Sequence, residues 1–263
     1  MTERAEQPLA LVTGGASGIG EGCARILLEK GWRVVVADIR AEAAQATADR
    51  IGAAALTLDV TDAAAVEAVA QEAEARFGPV DALVTSAGVL QPPTPPEDFA
   101  LADFDAVVSV NLRGTYVTAV AFGTRMARRG RGAIVTIGSI TAVRAVPLHA
   151  YGPTKAAVVS ITQCLAADYA RSGVRVNCIS PGFVATPPLQ AAIARGQRDP
   201  RLLTESAALG RFVAVEDVGR AAAFLLSDEA SAITGINLPV DCGWLIGAHL
   251  GTYGGVRPAR GGA

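Results

Sequence analysis

Leu9-Ala-Leu-Val-Thr-Gly-Gly-Ala-Ser-Gly-Ile-Gly20 opens the ordered pattern of this chain. Leu9 to Val12 is a short apolar run, and a glycine-rich turn follows it. Cys23, Ile26 and Leu27 then recur at helical spacing, and Gly31 closes that segment. Strand, glycine turn and helix in this order suit a bound dinucleotide. Glycines let the backbone approach a pyrophosphate, and the helix N-terminus offers free N–H groups and the positive end of a dipole. A plain glycine-rich turn is the alternative, and both flanks argue against it. The spacing is G-x-x-x-G-x-G over Gly14, Gly18 and Gly20, with Ser17 and Ile19 between them.

Working outward, strand-like and helix-like segments alternate. Arg33 to Ala37, Ala53 to Leu58, Val80 to Val84, Ala133 to Ile137, Val174 to Ile179 and Ile236 to Val240 read as strands. Ala41 to Ile51, Asp62 to Phe77, Leu101 to Met126, Tyr151 to Ala170 and Val215 to Leu226 read as helices. No internal repeat, linker or second domain breaks the alternation. The pattern predicts one α/β domain over 1–263, with a core of 8–245. Its sheet is parallel, doubly wound and Rossmann-like, with helices on both faces and ligands at the carboxyl ends of the strands.

A second constellation lies in Ser139 and Tyr151-Gly-Pro-Thr-Lys155. Tyrosine and lysine four apart share one helix face. Pro153 belongs in a first turn, so both groups sit at a helix start. An ammonium one turn away favours the phenolate and is expected to lower the tyrosine pKa from about 10. Ser139 ends an apolar strand and can aim its hydroxyl at the same spot. Taken alone, Y-x-x-x-K is common on surface helices; the glycine motif changes its weight.

Composition removes other classes. The 263 residues are 51 % hydrophobic and 18 % charged, enough for a large core. Lys plus Arg is 23 against 25 Asp plus Glu, a balance that argues against a nucleic-acid or anionic-membrane partner. Cys23, Cys164, Cys178 and Cys242 form no C-x-x-C pair, and with only His149 and His249 no metal cluster is expected. The segment from Met1 to Pro8 lacks the apolar centre of a signal peptide. No apolar run nears the ~18 residues of a membrane span. A soluble, cytoplasmic protein is expected.

Asp38 ends the second strand, 18 residues past Gly20, where an acid accepts both ribose hydroxyls of the adenosine half. It would repel a 2′-phosphate. Gly15 is not basic and Ile39 follows the acid, so NAD is the expected cofactor. Arg40 reads as a solvated helix start.

The glycine spacing together with Ser139, Tyr151 and Lys155 resembles the classical short-chain dehydrogenase/reductase family, over about residues 8 to 245. The resemblance implies a seven-stranded sheet of order 3-2-1-4-5-6-7. It also implies interconversion of a secondary alcohol and a ketone, with Asn111, Ser139, Tyr151 and Lys155 as the catalytic set. Asn111 would sit at a helix irregularity and hold a water linking Lys155 to solvent. The cofactor seat it implies comprises Gly14, Ser17, Gly18, Ile19, Gly20, Asp38, Ile39, Asp59, Val60, Ala87, Gly88, Tyr151, Lys155, Pro181, Gly182, Val184 and Thr186. Asp59 either meets the adenine or caps a turn. Phe183 and Val184 would flank the nicotinamide. The family has two asparagines before Ala87-Gly88, where this chain has Thr85-Ser86, and the Ser86 hydroxyl is the expected partial replacement. Where the family often has glycine, this chain has Cys242.

On the substrate side stand Ser139, Thr141, Arg144, His149, Tyr151 and Phe183. Arg144 and His149 either meet the substrate or belong to a solvated loop with a packed histidine. Residues 187–211 read as a mobile lid, and the tail 246–263 either covers a neighbouring subunit's pocket or frays. A polyol or sugar-like alcohol is the first expectation, an aromatic or cyclic alcohol the second. A non-catalytic NAD-sensing module is the rival of another class. The family implies a homotetramer.

Overall fold

The computed structural model describes residues 7–257. Residues 1–6 of the Met1 to Pro8 segment, and the tail beyond residue 257, lie outside the described residues. Seven strands form one parallel sheet: β1 (Leu9–Thr13), β2 (Arg33–Asp38), β3 (Ala54–Thr57), β4 (Ala82–Thr85), β5 (Gly132–Ile137), β6 (Val174–Pro181) and β7 (Asn237–Val240). Their order is β3-β2-β1-β4-β5-β6-β7, as the resemblance implied. Val12 pairs with Val36 on one side and Val84 on the other, which makes β1 the centre of the cofactor half.

Burial on both faces explains why these strands read as unbroken apolar runs. Ala10 and Val12 pack into one core with Cys23, Ile26, Leu27, Val218 and Leu225. Leu9 and Leu11 pack into the other with Val66, Phe122, Met126 and Leu165. The first core lies under α1 (Gly18–Glu29) and α9 (Val215–Leu226), the second under α3 (Ala63–Phe77), α5 (Thr115–Arg129) and α6 (Tyr151–Tyr169). Each fully buried aliphatic side chain there contributes about 1.5–3 kcal/mol. The helices α1 and α9 touch through glycines. A Cβ on Gly219 would lie 2.7 Å from the Gly22 carbonyl oxygen.

The segment read as one helix from Leu101 to Met126 is three pieces. α4 (Leu101–Val107) runs into a π-helical stretch, Val108–Gly114, before α5 begins. Asn111 sits in that stretch, fully buried. The lid region is more regular than expected, holding α7 (Pro187–Ala194) and α8 (Pro200–Glu205). α2 (Ala41–Ile51) follows β2, and a short α10 (Trp244–Gly247) follows β7. Among the described residues, no helix is long and apolar enough to cross a membrane, and no group of His, Cys, Asp or Glu could hold a metal.

Candidate active site

The elbow after β1 takes left-handed backbone at Gly14 (φ 63) and Gly18 (φ 59). Its space is closed to side chains. A Cβ on Gly20 would lie 2.2 Å from the Gly14 carbonyl oxygen, and one on Gly14 would lie 2.7 Å from the Ala87 backbone. That cradle, with the α1 N-terminus behind it, fits a pyrophosphate. The same contact sets the elbow against the Ala87-Gly88 turn. Thr13 completes the joint: its hydroxyl accepts from the Ala87 N–H at 3.3 Å and its carbonyl from the Ser86 N–H at 3.2 Å. The expected help from the Ser86 hydroxyl is not there, since it makes no hydrogen bond among the described residues. Asn111 holds the next residue instead. Its Nδ2 donates to the Val89 carbonyl at 2.9 Å, and its Oδ1 accepts from the Val89 N–H at 2.8 Å.

At the adenosine end Asp38 is only 6 % exposed. Its Oδ2 accepts from the Ala16 N–H at 3.3 Å. Its Oδ1 accepts from both the N–H and the Nε–H of Arg40 at 3.1 Å. Arg40 is therefore not simply a solvated helix start: its Nη2 also donates to the Ser17 hydroxyl at 3.3 Å. Its side chain stays 58 % exposed at the start of α2, so Arg40 is a solvated helix start that also pairs with a buried carboxylate. Ile39 is exposed. Asp59 takes the turn role, its Oδ1 accepting from the Thr61 N–H and hydroxyl. Val60 is buried against Gly114.

Ser139, Tyr151 and Lys155 come together at the carboxyl end of β5. Ser139 is buried, and its Oγ accepts from the Thr141 N–H at 3.1 Å, which leaves the hydroxyl proton free to donate. Tyr151 is the first residue of α6, and Lys155 follows one turn later. Lys155 Nζ donates to the Ile137 carbonyl at 2.8 Å and lies 5.6 Å from the centre of the Tyr151 ring. A Cβ on Gly88 would lie 3.8 Å from that same Nζ and 3.2 Å from Asn111 Oδ1. Elbow, turn, asparagine, lysine and tyrosine thus form one continuous contact path.

Burial pushes Lys155 down to about 8, so the ammonium still predominates at neutral pH. Burial pushes the Tyr151 phenol above its ordinary value, and the adjacent Ser139 hydroxyl opposes that rise. The expected depression of the phenol by Lys155 is therefore not met, because desolvation of the phenolate is the largest effect.

β6 delivers Pro181 and Gly182 to the same edge, where Gly182 donates to the Val240 carbonyl at 3.0 Å. Thr186 precedes α7, and its Cγ2 lies 3.4 Å from where a Gly18 Cβ would be, so the residue just before the 187–211 segment meets the elbow. The side chains of Val184 and Ile19 pack with the core.

Phe183 packs edge-on against Trp244, ring centres 5.8 Å apart. Sequence reading missed Trp244. Arg144 is exposed and donates to the Leu245 carbonyl at 3.3 Å, tying its loop to α10. His149 is exposed rather than packed. Gln91 was also missed: between exposed Leu90 and Pro92, it is buried and accepts from the N–H groups of Ala150 and Tyr151. A cavity of about 480 Å³ lies elsewhere, lined by Trp32, Asp81, Arg131 and Arg175 at the amino ends of the strands, and touches none of these groups.

Comparison with known proteins bears on this geometry. A family model described as enoyl-(acyl carrier protein) reductase matches residues 14–245. D-threitol dehydrogenase of Mycolicibacterium smegmatis is 40 % identical over 251 residues, covering 92 % of this chain and 95 % of that protein. Cis-4-hydroxycyclohexanecarboxylate dehydrogenase of Sinomonas cyclohexanicum is 37 % identical, covering 93 % and 99 %. A solved structure described as ribose-5-phosphate isomerase from Brucella melitensis 16M superposes with a TM-score of 0.93 at 47 % identity, covering 96 % of this chain and 98 % of that one.

Proposed function

The chain belongs to the short-chain dehydrogenase/reductase family and is an oxidoreductase of secondary alcohols, and we propose that it is a single-domain, NAD-dependent polyol dehydrogenase. The observation that carries this reading is the contact path from Gly14 through Ala87-Gly88 to Lys155 and Tyr151. A pyrophosphate held at Gly14 to Gly20 and a proton-transfer group at Tyr151 would stand at the two ends of that path.

Gly14, Ser17, Gly18, Ile19 and Gly20 would hold the pyrophosphate, and Asp38 the adenosine ribose. Ile39, Asp59 and Val60 would border the adenine, and Pro181, Gly182, Val184 and Thr186 the nicotinamide end. The bound nicotinamide supplies the hydride acceptor or donor. Lys155 holds the nicotinamide ribose and brings positive charge to the phenol. Tyr151 takes the alcohol proton, or returns it in ketone reduction. Ser139 donates to the reacting oxygen. Asn111 keeps the turn beside Lys155 in place and sits on the proton path to solvent. Acid–base help of this kind contributes about 10²–10⁴-fold, and positioning supplies much of the rest.

NAD is favoured because the Asp38 carboxylate is buried where a 2′-phosphate would need room. Arg40 offsets part of that repulsion, so the preference should be moderate. Asp38→Ala is expected to weaken NAD binding more than NADP binding; a wild type that already prefers NADP would overturn this reading. For substrate, the resemblance to a threitol dehydrogenase and the polar Thr141 favour a polyol. Exposed Leu90 and Val143, with the hydroxycyclohexanecarboxylate relative, favour a cyclic alcohol as the second reading. NADH formation across D-threitol, galactitol and cyclohexanols separates the two. Adding ribose 5-phosphate without nucleotide tests whether any isomerase activity stands apart. Exposed apolar side chains on separate elements, Leu101, Tyr116, Phe224 and Ile236, support a homotetramer that light scattering would detect. Four unpaired thiols suit a reducing cytoplasm.

A further inference from the structure

Gln91 departs from its surroundings. Val89, Leu90, Pro92 and Pro93 are exposed, yet Gln91 is 4 % exposed. A buried amide must find partners or carry a penalty. Its Oε1 accepts from the Ala150 N–H at 2.8 Å and the Tyr151 N–H at 3.0 Å.

The start of α6 explains the need. Ala150, at the cap position, has no side chain able to accept. The Gly152 N–H goes to the Leu148 carbonyl and the Thr154 N–H to the Ala150 carbonyl, while Pro153 has none to place. The two remaining N–H groups are both taken by Gln91, so the cap comes from 59 residues upstream. Pro92 biases Gln91 toward extended backbone and stiffens its placement. The other end of the same short loop is the Ala87-Gly88 turn, packed on Gly14.

We propose that Gln91 is a positioning residue for the alcohol–ketone reaction: its amide oxygen fixes the first turn of α6, and with it the Tyr151 phenol, relative to the dinucleotide seat. This rests on Tyr151 being the proton-transfer group. The chemistry of the cap supports a role beyond stability. Gln91 Nε2 is buried with no partner among the described residues, which weakens the fold. A glutamate would accept the same two N–H groups more strongly and leave no such donor. It would also set a negative charge at the backbone of Tyr151, the residue that bears the phenol, and disfavour the phenolate. A neutral acceptor caps the helix without that opposition.

The test compares full-length wild type, Gln91→Leu, Gln91→Glu and Tyr151→Phe. It measures turnover of the fastest alcohol in the panel, NADH binding by fluorescence, and amide exchange at Ala150 and Tyr151. Gln91→Leu should lower kcat about 10–100-fold, leave the NADH dissociation constant within about threefold, and speed exchange in the first turn of α6 alone. Gln91→Glu should keep the exchange protection and move the pH dependence of kcat/KM to higher pH, so that activity lost at neutral pH returns at alkaline pH.

Unchanged exchange or unchanged kcat in Gln91→Leu would overturn the proposal. So would an unshifted pH profile in Gln91→Glu, which carries the test by itself if the leucine variant does not fold. Full turnover in Tyr151→Phe would sink the reading of the site instead, and amide exchange would still judge the clamp.

Discussion

The elbow that would hold the dinucleotide and the segments that would meet the substrate are built on opposite terms. Around Gly14, Gly20 and Gly182 an added Cβ would land 2.2 to 2.8 Å from backbone atoms, so these positions admit no side chain. Around the substrate the chain uses loops and short helices with exposed Leu90, Val143, Leu202, Leu209 and Ile246. Between them lie Ser139 and Lys155, which are buried, and Tyr151, which is half-buried, on strand and helix ends. A ligand common to many reactions needs close backbone approach, which only a tight frame supplies. A variable ligand needs surfaces that can change without disturbing that frame.

That contrast can be broken by substitutions of decreasing effect. The largest should come from the elbow. Gly20→Ala forces the backbone apart and is expected to abolish NADH binding, seen as loss of NADH fluorescence enhancement, while a variant that binds NADH normally would mean the cradle is not tight. Next is the buried middle. Lys155→Met should lower turnover at least about 10²-fold and yet stabilise the fold by about 1–3 kcal/mol at neutral pH, read by thermal unfolding.

The sign follows from linkage. Lys155 titrates at about 8 in the folded chain against 10.5 as its ordinary value, so between these the unfolded chain binds more protons and stability rises with pH. The methionine's advantage should thus be full below pH 8 and vanish as pH approaches 10.5. An advantage independent of pH would mean that lysine burial is not its source. The smallest effect should come from the substrate side. Cys242 holds φ 53, a left-handed backbone. Cys242→Gly should relieve about 1 kcal/mol of strain and raise Tm by a few degrees with turnover unchanged.

The same contrast explains what the sequence disclosed. Strands buried on both faces, such as Leu9 to Val12 and Ala133 to Ile137, read as unbroken apolar runs, so the layer order was legible. The glycine spacing and the Tyr151–Lys155 turn were legible because backbone geometry fixes both locally. The π-helical stretch was hidden because it keeps the apolar pattern of the flanking helices, and only Asn111 marked it. Gln91 and Arg144 were illegible because their partners lie 59 and 101 residues away, a separation that spacing cannot report. Arg40 was legible as a solvated helix start, but its pairing with Asp38 was not, because Asp38 was seen only as a ligand for the ribose. Cys242 could be noticed as a departure from glycine, but its cause, a left-handed φ, needed coordinates.

The convergence of Ser139, Tyr151 and Lys155 over the dinucleotide seat is tested most directly by Tyr151→Phe, assayed for NADH formation and for NADH binding on the same preparation. The account predicts unaltered binding with turnover reduced by at least about 10²-fold. Turnover near wild type, with binding intact, would contradict it.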